Sequence, residues 1–585
     1  MKLRNYIILL IFILLPIQLY AVKANPNPFT VIGPEGKPIT LVMHGNESCN
    51  WFTDSSGRVF QGIIRNNQLT ITSFGYPQKQ MIHCLGSQSI EKQIQKEQDP
   101  ATRVSVGNTT PSYFPHSGSP HALVILVNFK DLQFKSSNPK NDFNIYLNHL
   151  NDNGPHPSYA YDYYNNVYNE YDNYGSVAQY FKDISKGKFT PIFDIVGPVT
   201  VSKDYAYYGN NGSGSDIHYQ QLIKEAVELV DPSVNFKDYD SDSDGNVDLV
   251  YIIYAGYSES NRAGSDNLWP KSGTLGSSKI TTKDQGVIVN RFGINNELNG
   301  RPTDKYIMFN GIGLFCHEFC HTMGLPDIYP TIDFSDYKDY NDQSMEYWDL
   351  MDGGEYTGEG YCPTPLTPWE TEALGWDKMI SIPEQASTIT LQHTESYKIP
   401  SSNTNKYAIL QNIQQEGWYS KMPGHGLLVY RIAYDGTIYM SSGINNNKGF
   451  PDVTLLPADG KITSSYLVDD EKAQTNPDYI TNTDYWTDLA GDPYPGITQL
   501  DFILSIDING TIIDKPIYNI KESDGNITFD YLENKSTGII NFPSTKNGSR
   551  LDPQRPMYNI NGQRITSDYQ GIILQSGHKF ITSSK

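Results

Sequence analysis

An eleven-residue motif in the second half of the chain constrains its structure more than any other feature. Residues 317–327 read His-Glu-x-x-His-x-x-Gly-x-x-Asp. Residues four apart lie on one face of a helix, so His317 and His321 would direct two imidazoles at one point, as a zinc ion requires. Glu318 lies beside them and can accept a proton from water. A helix with two surface histidines beside an ordinary turn is the alternative interpretation.

The end of the motif predicts how a third ligand reaches the same point. Gly324 can leave the helix in a left-handed conformation, and Pro326 prevents the helix from continuing. The chain then turns back and can present Asp327 as an oxygen ligand. Three protein ligands leave a fourth position open, which is typical of hydrolytic zinc sites.

A second segment supports the zinc interpretation. Residues 347–354 place Met351 in a tight turn that ends in two glycines. This resembles the Met-turn of the metzincins, in which the Met thioether packs beneath the metal as a polarizable, apolar floor. An ordinary core segment ending in a Gly-Gly turn is the alternative.

An acidic loop precedes the zinc motif and predicts a calcium site. Carboxylates at alternating positions can face one hard cation, and Gly245 supplies the sharp turn between them. The twelfth position of the loop is Tyr251, so the bidentate Glu of an EF-hand is missing. A solvated acidic turn is the alternative to a structural calcium loop. The candidate ligands are Asp240, Asp242, Asp244, Asn246 and Asp248.

The N-terminus and the overall charge limit the location and the partners. Lys2 and Arg4 precede an apolar run that ends at Leu19, and Ala21 and Ala24 are small-residue cleavage candidates, so residues 1–24 are predicted to be a signal peptide. The rest of the chain has no apolar stretch of about twenty residues, so we expect no transmembrane segment in the mature chain. The formal charge of −21 argues against nucleic acid as a partner.

Hydrophobic patterns divide the remaining chain into four parts. A leader of short strands, residues 25–115, ends in a polar stretch of linker composition. Residues 116–384 mix strand-like and helical patterns: a strand at 122–129, helices at 176–185, 217–229 and 368–374, and the zinc motif. Residues 385–533 are strand-like with frequent turns, which predicts a β-sandwich. Residues 534–585 are a linker and a tail with a hairpin signal at Asn561-Gly562.

At these residues the chain resembles secreted bacterial metalloproteases of the immune inhibitor A type. Beyond the zinc motif and the Met-turn, the similarity lies at residues 44–54 in the leader, at 123–129, 176–181, 185–189 and 254–256, and after the protease region at 423–430, 458–460 and 491–496. Cys320 departs from the family pattern, where Gly or another small residue is expected. The tail, at 558–565 and 571–574, resembles C-terminal sorting-type modules of secreted Bacteroidetes proteins; a small packing hairpin is the alternative.

The resemblance implies a multidomain protein with an α+β, metzincin-like catalytic domain, an N-terminal propeptide and a C-terminal β-sandwich region. It implies a zinc endopeptidase that is made as a zymogen, secreted or attached to the cell surface, and acts on protein or peptide substrates. His317, His321 and Asp327 would be the ligands and Glu318 the general base. A Tyr near the Met-turn, Tyr356, Tyr347 or Tyr361, would stabilise the oxyanion.

Several alternatives stay open at the level of sequence. The propeptide could inhibit through a thiolate of Cys49 or Cys84, through a carboxylate such as Glu47 or Asp54, or by steric block alone. Five cysteines do not form a disulfide framework: Cys316 and Cys320 are expected to pack as small apolar groups, although either could pair with Cys362. The alternative function is a non-catalytic surface adhesin on a protease scaffold.

Overall fold

The computed structural model describes most of the chain. Its described residues are 19–47, 49–74, 113–151, 173–211, 216–283, 286–331, 343–434, 443–447, 449–464 and 483–535, together with the backbone of 557–559, 564–565, 571–575 and 578–582. Within these ranges, none of the helices combines the length and the apolar character needed to cross a bilayer.

The leader begins with an edge strand and continues as a small closed barrel. The barrel closes because its first and last strands pair at Ile32 and Gln68. Alternating side chains such as Val31, Leu41 and Phe52 fill its interior. The strands are β1 (Leu19–Ala21), β2 (Phe29–Ile32), β3 (Pro38–Asn46), β4 (Cys49–Asp54), β5 (Val59–Arg65) and β6 (Gln68–Phe74).

The boundary between the predicted signal peptide and the leader does not coincide with a structural boundary. Strand β1 pairs with a strand of the central sheet from Leu19 to Ala21, and the following residues Val22, Lys23 and Ala24 are buried. Residues 19–24 therefore form part of the folded unit.

The middle of the chain contains a six-stranded mixed sheet in the order β1-β11-β14-β10-β7-β8. Strands β8, β7, β10 and β14 are parallel, whereas β11 is antiparallel to β14. The strands of this region are β7 (His121–Asn128), β8 (Ile192–Thr200), β9 (Asn246–Val247), β10 (Val250–Tyr254), β11 (Lys271–Thr274), β12 (Ile280–Thr281), β13 (Ile288–Val289), β14 (Arg291–Asn296), β15 (Leu298–Asn299) and β16 (Met308–Phe309).

Helices cover both faces of this sheet, which explains the unbroken apolar run in β7. Leu123 and Ile125 face one helical layer, and Val124 and Leu126 face the other, as the two-residue period of a strand dictates. The helices are α1 (Pro139–Asn148), α2 (Val177–Ile184), α3 (Tyr205–Tyr208), α4 (Tyr219–Val230), α5 (Gly313–Thr322) and α6 (Pro368–Ala373). The predicted strand at 122–129 and the four predicted helices are confirmed to within a few residues.

The β-rich region shares a core with the middle of the chain. In its central strand β20, Tyr407 and Ile409 join the core that contains helix α5, while Ala408 and Leu410 join a separate core. The separate core is shared between a five-stranded sheet (β17-β19-β20-β21-β22) and a three-stranded sheet (β18-β26-β25). The elements are β17 (Ile380–Ser381), β18 (Ser387–Leu391), β19 (Ser396–Pro400), β20 (Tyr407–Ile413), β21 (Gly426–Ile432), β22 (Val453–Leu455), α7 (Thr483–Leu489), β23 (Ile506–Ile508), β24 (Thr511–Ile513), β25 (Ile517–Ser523) and β26 (Asn526–Tyr531).

The tail forms a four-stranded antiparallel sheet in the order β28-β27-β29-β30. Its strands are β27 (Met557–Asn559), β28 (Arg564–Ile565), β29 (Gly571–Gln575) and β30 (His578–Thr582). The predicted hairpin turn at Asn561-Gly562 lies outside the described residues, but the strands on either side of it pair as a hairpin would.

Candidate metal centre and catalytic site

Helix α5 brings the two histidines of the motif together at its C-terminal end. The Nε2 atoms of His317 and His321 lie 3.1 Å apart. His317 Nδ1 lies 2.9 Å from the carbonyl oxygen of Leu350, and His321 Nδ1 lies 2.7 Å from that of Leu325. A carbonyl oxygen only accepts hydrogen bonds, so each Nδ1 carries the proton. In its neutral form, each imidazole would then present its Nε2 lone pair to the same point.

Asp327 completes a triangle of ligand atoms. The helix ends where Gly324 adopts a left-handed φ of 99°, and the chain then turns back toward the histidines. Asp327 Oδ1 lies 3.3 Å from His317 Nε2 and 3.2 Å from His321 Nε2. Ligands on a tetrahedral zinc ion, bound at about 2.0–2.1 Å, are roughly 3.3–3.4 Å apart. The observed spacing therefore matches the edges of a tetrahedral zinc site.

The chemistry of this triangle also fits a cation. Three electron-pair donors converge in a buried volume, and the protons of both imidazoles are already committed to carbonyl groups on the far side. Such a site is stabilised by a metal ion far better than by water, because water cannot satisfy three acceptors at once.

Glu318 lies beside the triangle and contacts the N-terminal segment, by which we mean residues 19–25. The backbone N–H of Val22 donates to Glu318 Oε1 at 3.1 Å. Burial raises the pKa of Glu318 to about 8, even though His317 lowers it. The carboxyl group is thus adjacent both to the candidate metal and to a peptide nitrogen.

The turn that contains Met351 forms hydrogen bonds with His317 and with the segment next to Asp327. The carbonyl group that holds His317 belongs to Leu350, and the Met351 carbonyl accepts from the N–H of Ile328, next to Asp327. Met351 is fully buried in the same core as the zinc helix. One turn therefore positions both His317 and the segment that carries Asp327.

The N-terminal segment runs through the site in the manner of an added strand. β1 extends the sheet by pairing antiparallel with the edge strand β11. Trp269 Nε1 then donates to the carbonyl of Val22 at 2.8 Å, and the hydroxyl group of Tyr356 donates to the carbonyl of Lys23 at 2.6 Å. Strand addition to a sheet edge is a common way in which proteins bind extended peptides. The segment escaped the sequence analysis because its residues had been assigned to the signal peptide.

Only one of the three tyrosines considered for the oxyanion reaches this segment. Tyr356 contacts the Lys23 backbone, as described above, whereas Tyr361 donates to the carbonyl of Phe309. The ring of Tyr347 packs against Trp486. Tyr356 is therefore the candidate that contacts the backbone of the N-terminal segment.

The leader carboxylates considered as zinc ligands bind elsewhere. Glu47 forms a buried ion pair with Lys271, and Asp54 pairs with Arg58 in a local turn. Cys84 and the Cys49 side chain lie outside the described residues. Cys316, Cys320 and Cys362 are free, buried thiols, so the considered pairing with Cys362 is wrong for this structure. Burial raises the pKa of Cys316 and Cys320, as expected for packing residues.

The acidic loop brings three of its five candidate ligands together. Carboxylate oxygens of Asp240, Asp242 and Asp244 lie within 4.8 Å of one another. Asn246 instead donates to Asp244 at 3.0 Å, and Asp248 is buried and accepts from the N–H of Ser241 at 3.3 Å. Burial raises the pKa of Asp248 to about 6. Gly245 makes the turn with a φ of 87°.

Comparisons with known proteins agree with this geometry. The catalytic-domain model of "Immune inhibitor A peptidase M6" matches residues 113–378, which contain five strands of the six-stranded sheet, helix α5 and the Met351 turn. A pre-pro-metalloprotease, PrtV, of Vibrio cholerae is 26% identical over 225 residues, or 35% of this chain and 24% of that protein. Immune inhibitor A of Bacillus thuringiensis subsp. alesti is 27% identical over 221 residues, or 33% of this chain and 31% of that protein. The chain thus spans less than a third of each relative's length, and residues 113–378 form a domain of the immune inhibitor A peptidase M6 type.

Proposed function

We propose that this chain is a secreted zinc endopeptidase made as a zymogen. The observation that carries the proposal is the convergence of His317, His321 and Asp327 at tetrahedral spacing, with Glu318 in contact with a peptide nitrogen beside them. The family match and the names of the two relatives, a metalloprotease and immune inhibitor A, support a protease over other hydrolases.

Each side chain has a defined role in hydrolysis. A zinc ion at the triangle would polarise the carbonyl of the bond to be cleaved and make a water molecule more acidic. Glu318 takes a proton from the attacking water and passes it to the nitrogen of the leaving amine. The contact between Glu318 and Val22 N shows that its carboxylate can reach a nitrogen in that position. Tyr356, which donates to the Lys23 carbonyl, is placed to hold the backbone of a substrate on the leaving-amine side.

The N-terminal segment supports latency by occupation of the site. Residues 22–25 fill the site with buried backbone, and the barrel that follows is anchored to strand β11 by the buried Glu47–Lys271 pair. A substrate could not occupy the same place while Trp269 and Tyr356 hold the backbone carbonyls of Val22 and Lys23. We propose steric block by this substrate-like segment, and not a thiolate or carboxylate switch, as the inhibitory mechanism.

The burial of Val22, Lys23 and Ala24 also bears on signal cleavage. Of the two candidate sites, cleavage after Ala21 leaves the buried residues in place, whereas cleavage after Ala24 removes them. We therefore propose that the secreted zymogen begins at Val22. N-terminal sequencing of the protein exported from the native host tests this, and a chain that begins at Asn25 would contradict both the site and the inhibitory role of residues 22–24.

Two further assignments complete the proposal. The loop of Asp240, Asp242 and Asp244 would bind calcium as a structural ion, together with Asn246 and Asp248, because clustered carboxylates favour a hard cation. The four-stranded tail would serve export or surface display, as its sequence resemblance implies. A surface adhesin that has lost catalysis is the alternative function, and the intact Glu318 argues against it.

The decisive experiment measures zinc and peptide hydrolysis in the same preparation. The secreted chain, activated by limited proteolysis of the leader and repurified, should contain one zinc and hydrolyse casein until a chelator removes the metal. Glu318→Gln should retain zinc and lose roughly 10²–10⁴ in turnover, because the amide is nearly isosteric and cannot accept the proton. Glu228→Gln, on the exposed side of α4, is the matched control and should be fully active. Zinc-loaded protein that cleaves no protein substrate would leave the adhesin interpretation standing.

A further inference from the structure

A buried acidic pocket lies next to the catalytic site and holds a lysine of the N-terminal segment. We define the acidic pocket by the carboxylates of Glu346, Asp352 and Glu355, all of them fully buried. Lys23 Nζ lies 2.8 Å from Asp352 Oδ1 and 3.3 Å from Glu346 Oε2, and its side chain is 3% exposed. The catalytic chemistry proposed above makes no use of these three carboxylates.

The carboxylates are positioned by the protein itself and not by the lysine. Asp352 Oδ2 accepts from the backbone N–H of Glu346 at 2.7 Å. Glu346 Oε1 accepts from the hydroxyl of Ser344 at 3.2 Å, and its Oε2 accepts from the hydroxyl of Tyr485. These donors all belong to residues that remain when the leader is removed. The pocket is therefore expected to keep its shape in the active enzyme.

The charges in the pocket require a cation. Burial opposes the charged form of Lys23, yet Asp352 and Glu346 outweigh that effect and raise its pKa. Neither oxygen of Glu355 has a hydrogen-bond partner within the described part of the chain, so its acceptors are open to a cationic donor. A buried group of carboxylates without a counter-charge is strongly unfavourable. When Lys23 leaves with the propeptide, another cation in the same position would restore the balance.

The position of the pocket links it to the bond that is cleaved. Asp352 follows Met351 directly, so the pocket borders the turn that supports the zinc ligands. Lys23 follows Val22, whose nitrogen occupies the place of the leaving amine at Glu318. In a substrate bound in the same direction, the side chain in the acidic pocket belongs to the second residue on the leaving-amine side of the cleaved bond.

We propose that the acidic pocket is a specificity site that takes the side chain of a lysine or arginine at this second position. Lys23 in the zymogen occupies the pocket as a substrate residue would, so the segment that blocks the enzyme also shows its preference. The inference rests on the proposed peptidase function. Its substrate class is polypeptides with a basic residue two positions after the cleaved bond.

The test compares matched peptides in one enzyme preparation. Four fluorogenic peptides differ only at the second residue after the cleaved bond, which is Lys, Arg, norleucine or Glu. The activated enzyme, from which the leader has been removed, should cleave the Lys and Arg peptides with a kcat/KM about tenfold to 10²-fold above that of the norleucine peptide, because norleucine leaves buried carboxylates unpaired. The Glu peptide should be the poorest substrate, since it adds a like charge.

Variants then assign the preference to the pocket. Asp352→Asn and Glu346→Gln should each reduce the ratio of the Lys to the norleucine rate by at least about fivefold. That ratio is unaffected by the fraction of protein that folds, so a merely structural role would not change it. Glu359→Gln is the matched control, because Glu359 is an exposed carboxylate of the same region, and it should leave the ratio unchanged.

The outcomes separate this inference from the proposed function. Cleavage of all four peptides at similar rates would overturn the specificity site, would identify the acidic pocket as an anchor for the propeptide only, and would leave the peptidase intact. A preference for Lys that persists in both pocket variants would also overturn it. Failure of the zinc-loaded, processed enzyme to cleave any peptide or casein would instead overturn the peptidase function itself.

Discussion

The two candidate metal sites of this chain contrast sharply in how their ligands are held. The candidate zinc triangle of His317, His321 and Asp327 is buried, and backbone carbonyl groups fix the orientation of both rings. The acidic loop is largely exposed at Asp242 and Asp244. Its carboxylates accept hydrogen bonds from the backbone of the loop itself.

This difference decides how much each site depends on its ion. In the acidic loop, Asp240 accepts from the N–H groups of Asp244 and Gly245, each at 3.0 Å, so the loop is partly satisfied without a cation. In the triangle, the lone pairs of two imidazoles and one carboxylate face each other in a buried volume. We therefore expect loss of zinc to abolish the function and loss of calcium to reduce stability only.

The largest expected effect comes from removing one imidazole. His321→Ala deletes a ligand and leaves His317 and Asp327 as an incomplete pair, so zinc should be lost and casein hydrolysis should fall by on the order of 10³-fold or more. Metal analysis and rate measurement on the same sample check this. His218→Ala, a histidine on the opposite side of the sheet, should change neither quantity. Full activity in metal-free His321→Ala protein would remove zinc from the mechanism.

A smaller loss is expected when the carboxylate ligand is replaced. Asp327→Ala should weaken zinc binding by at least roughly 10²-fold, because loss of a ligand costs more than loss of a group that only orients one, while the two imidazoles remain in place on their helix. Asp327→His restores a nitrogen ligand and should recover part of the affinity. Competition with a zinc indicator measures both variants. If Asp327→Ala binds zinc as tightly as the natural sequence, the third ligand lies elsewhere.

The sequence predicted the parts of the site that are local in the chain. A helical repeat of four, a helix-ending Gly324 and a returning Asp327 occur within eleven residues, so short-range geometry was sufficient. Val22 and Glu318 are 296 positions apart in the chain, so no local sequence pattern predicts their contact. The acidic pocket was missed for the same reason: Lys23 reads as part of a signal peptide until the fold places it beside Asp352.

For the fold, too, the elements defined by local patterns were predicted from the sequence, whereas the contacts between distant segments were not. Strand β7 and helices α2, α4 and α6 were visible as hydrophobic patterns. The barrel of the leader was visible only as short strands, because its closure depends on the pairing of β2 with β6. Alternate residues of β20 belong to two separate cores, and an apolar run of this kind predicts a strand buried on both faces. The run does not predict which elements pack against each face.

Calcium removal should have a moderate effect that falls on stability. If the loop is saturated at about 100 times its dissociation constant, the bound ion contributes about 2.7 kcal/mol. A chelator selective for calcium should then lower Tm by roughly 5–10 °C without removing zinc. Asp242→Asn with Asp244→Asn should reproduce that shift, while Asp238→Asn outside the cluster should not. A Tm that is independent of calcium in all three proteins would identify the loop as a solvated turn.

The smallest effects should come from two glycines that carry the same strain in the two sites. Gly324 has a φ of 99° and Gly245 a φ of 87°, and an alanine at either position costs about 1–2 kcal/mol because its Cβ disfavours left-handed backbone. Both substitutions should therefore lower Tm by a few degrees. Only Gly324→Ala should also weaken zinc binding and slow hydrolysis, since Gly324 directs the chain from the helix to Asp327. An ideal Cβ at Gly245 meets no other atom within 4 Å, so the effect of Gly245→Ala would come from backbone strain alone.

Paired measurements of Tm and zinc affinity on the two variants test whether Gly324 positions the third ligand. Equal zinc affinity in the two variants would show that the turn at Gly324 does not set the position of the third ligand.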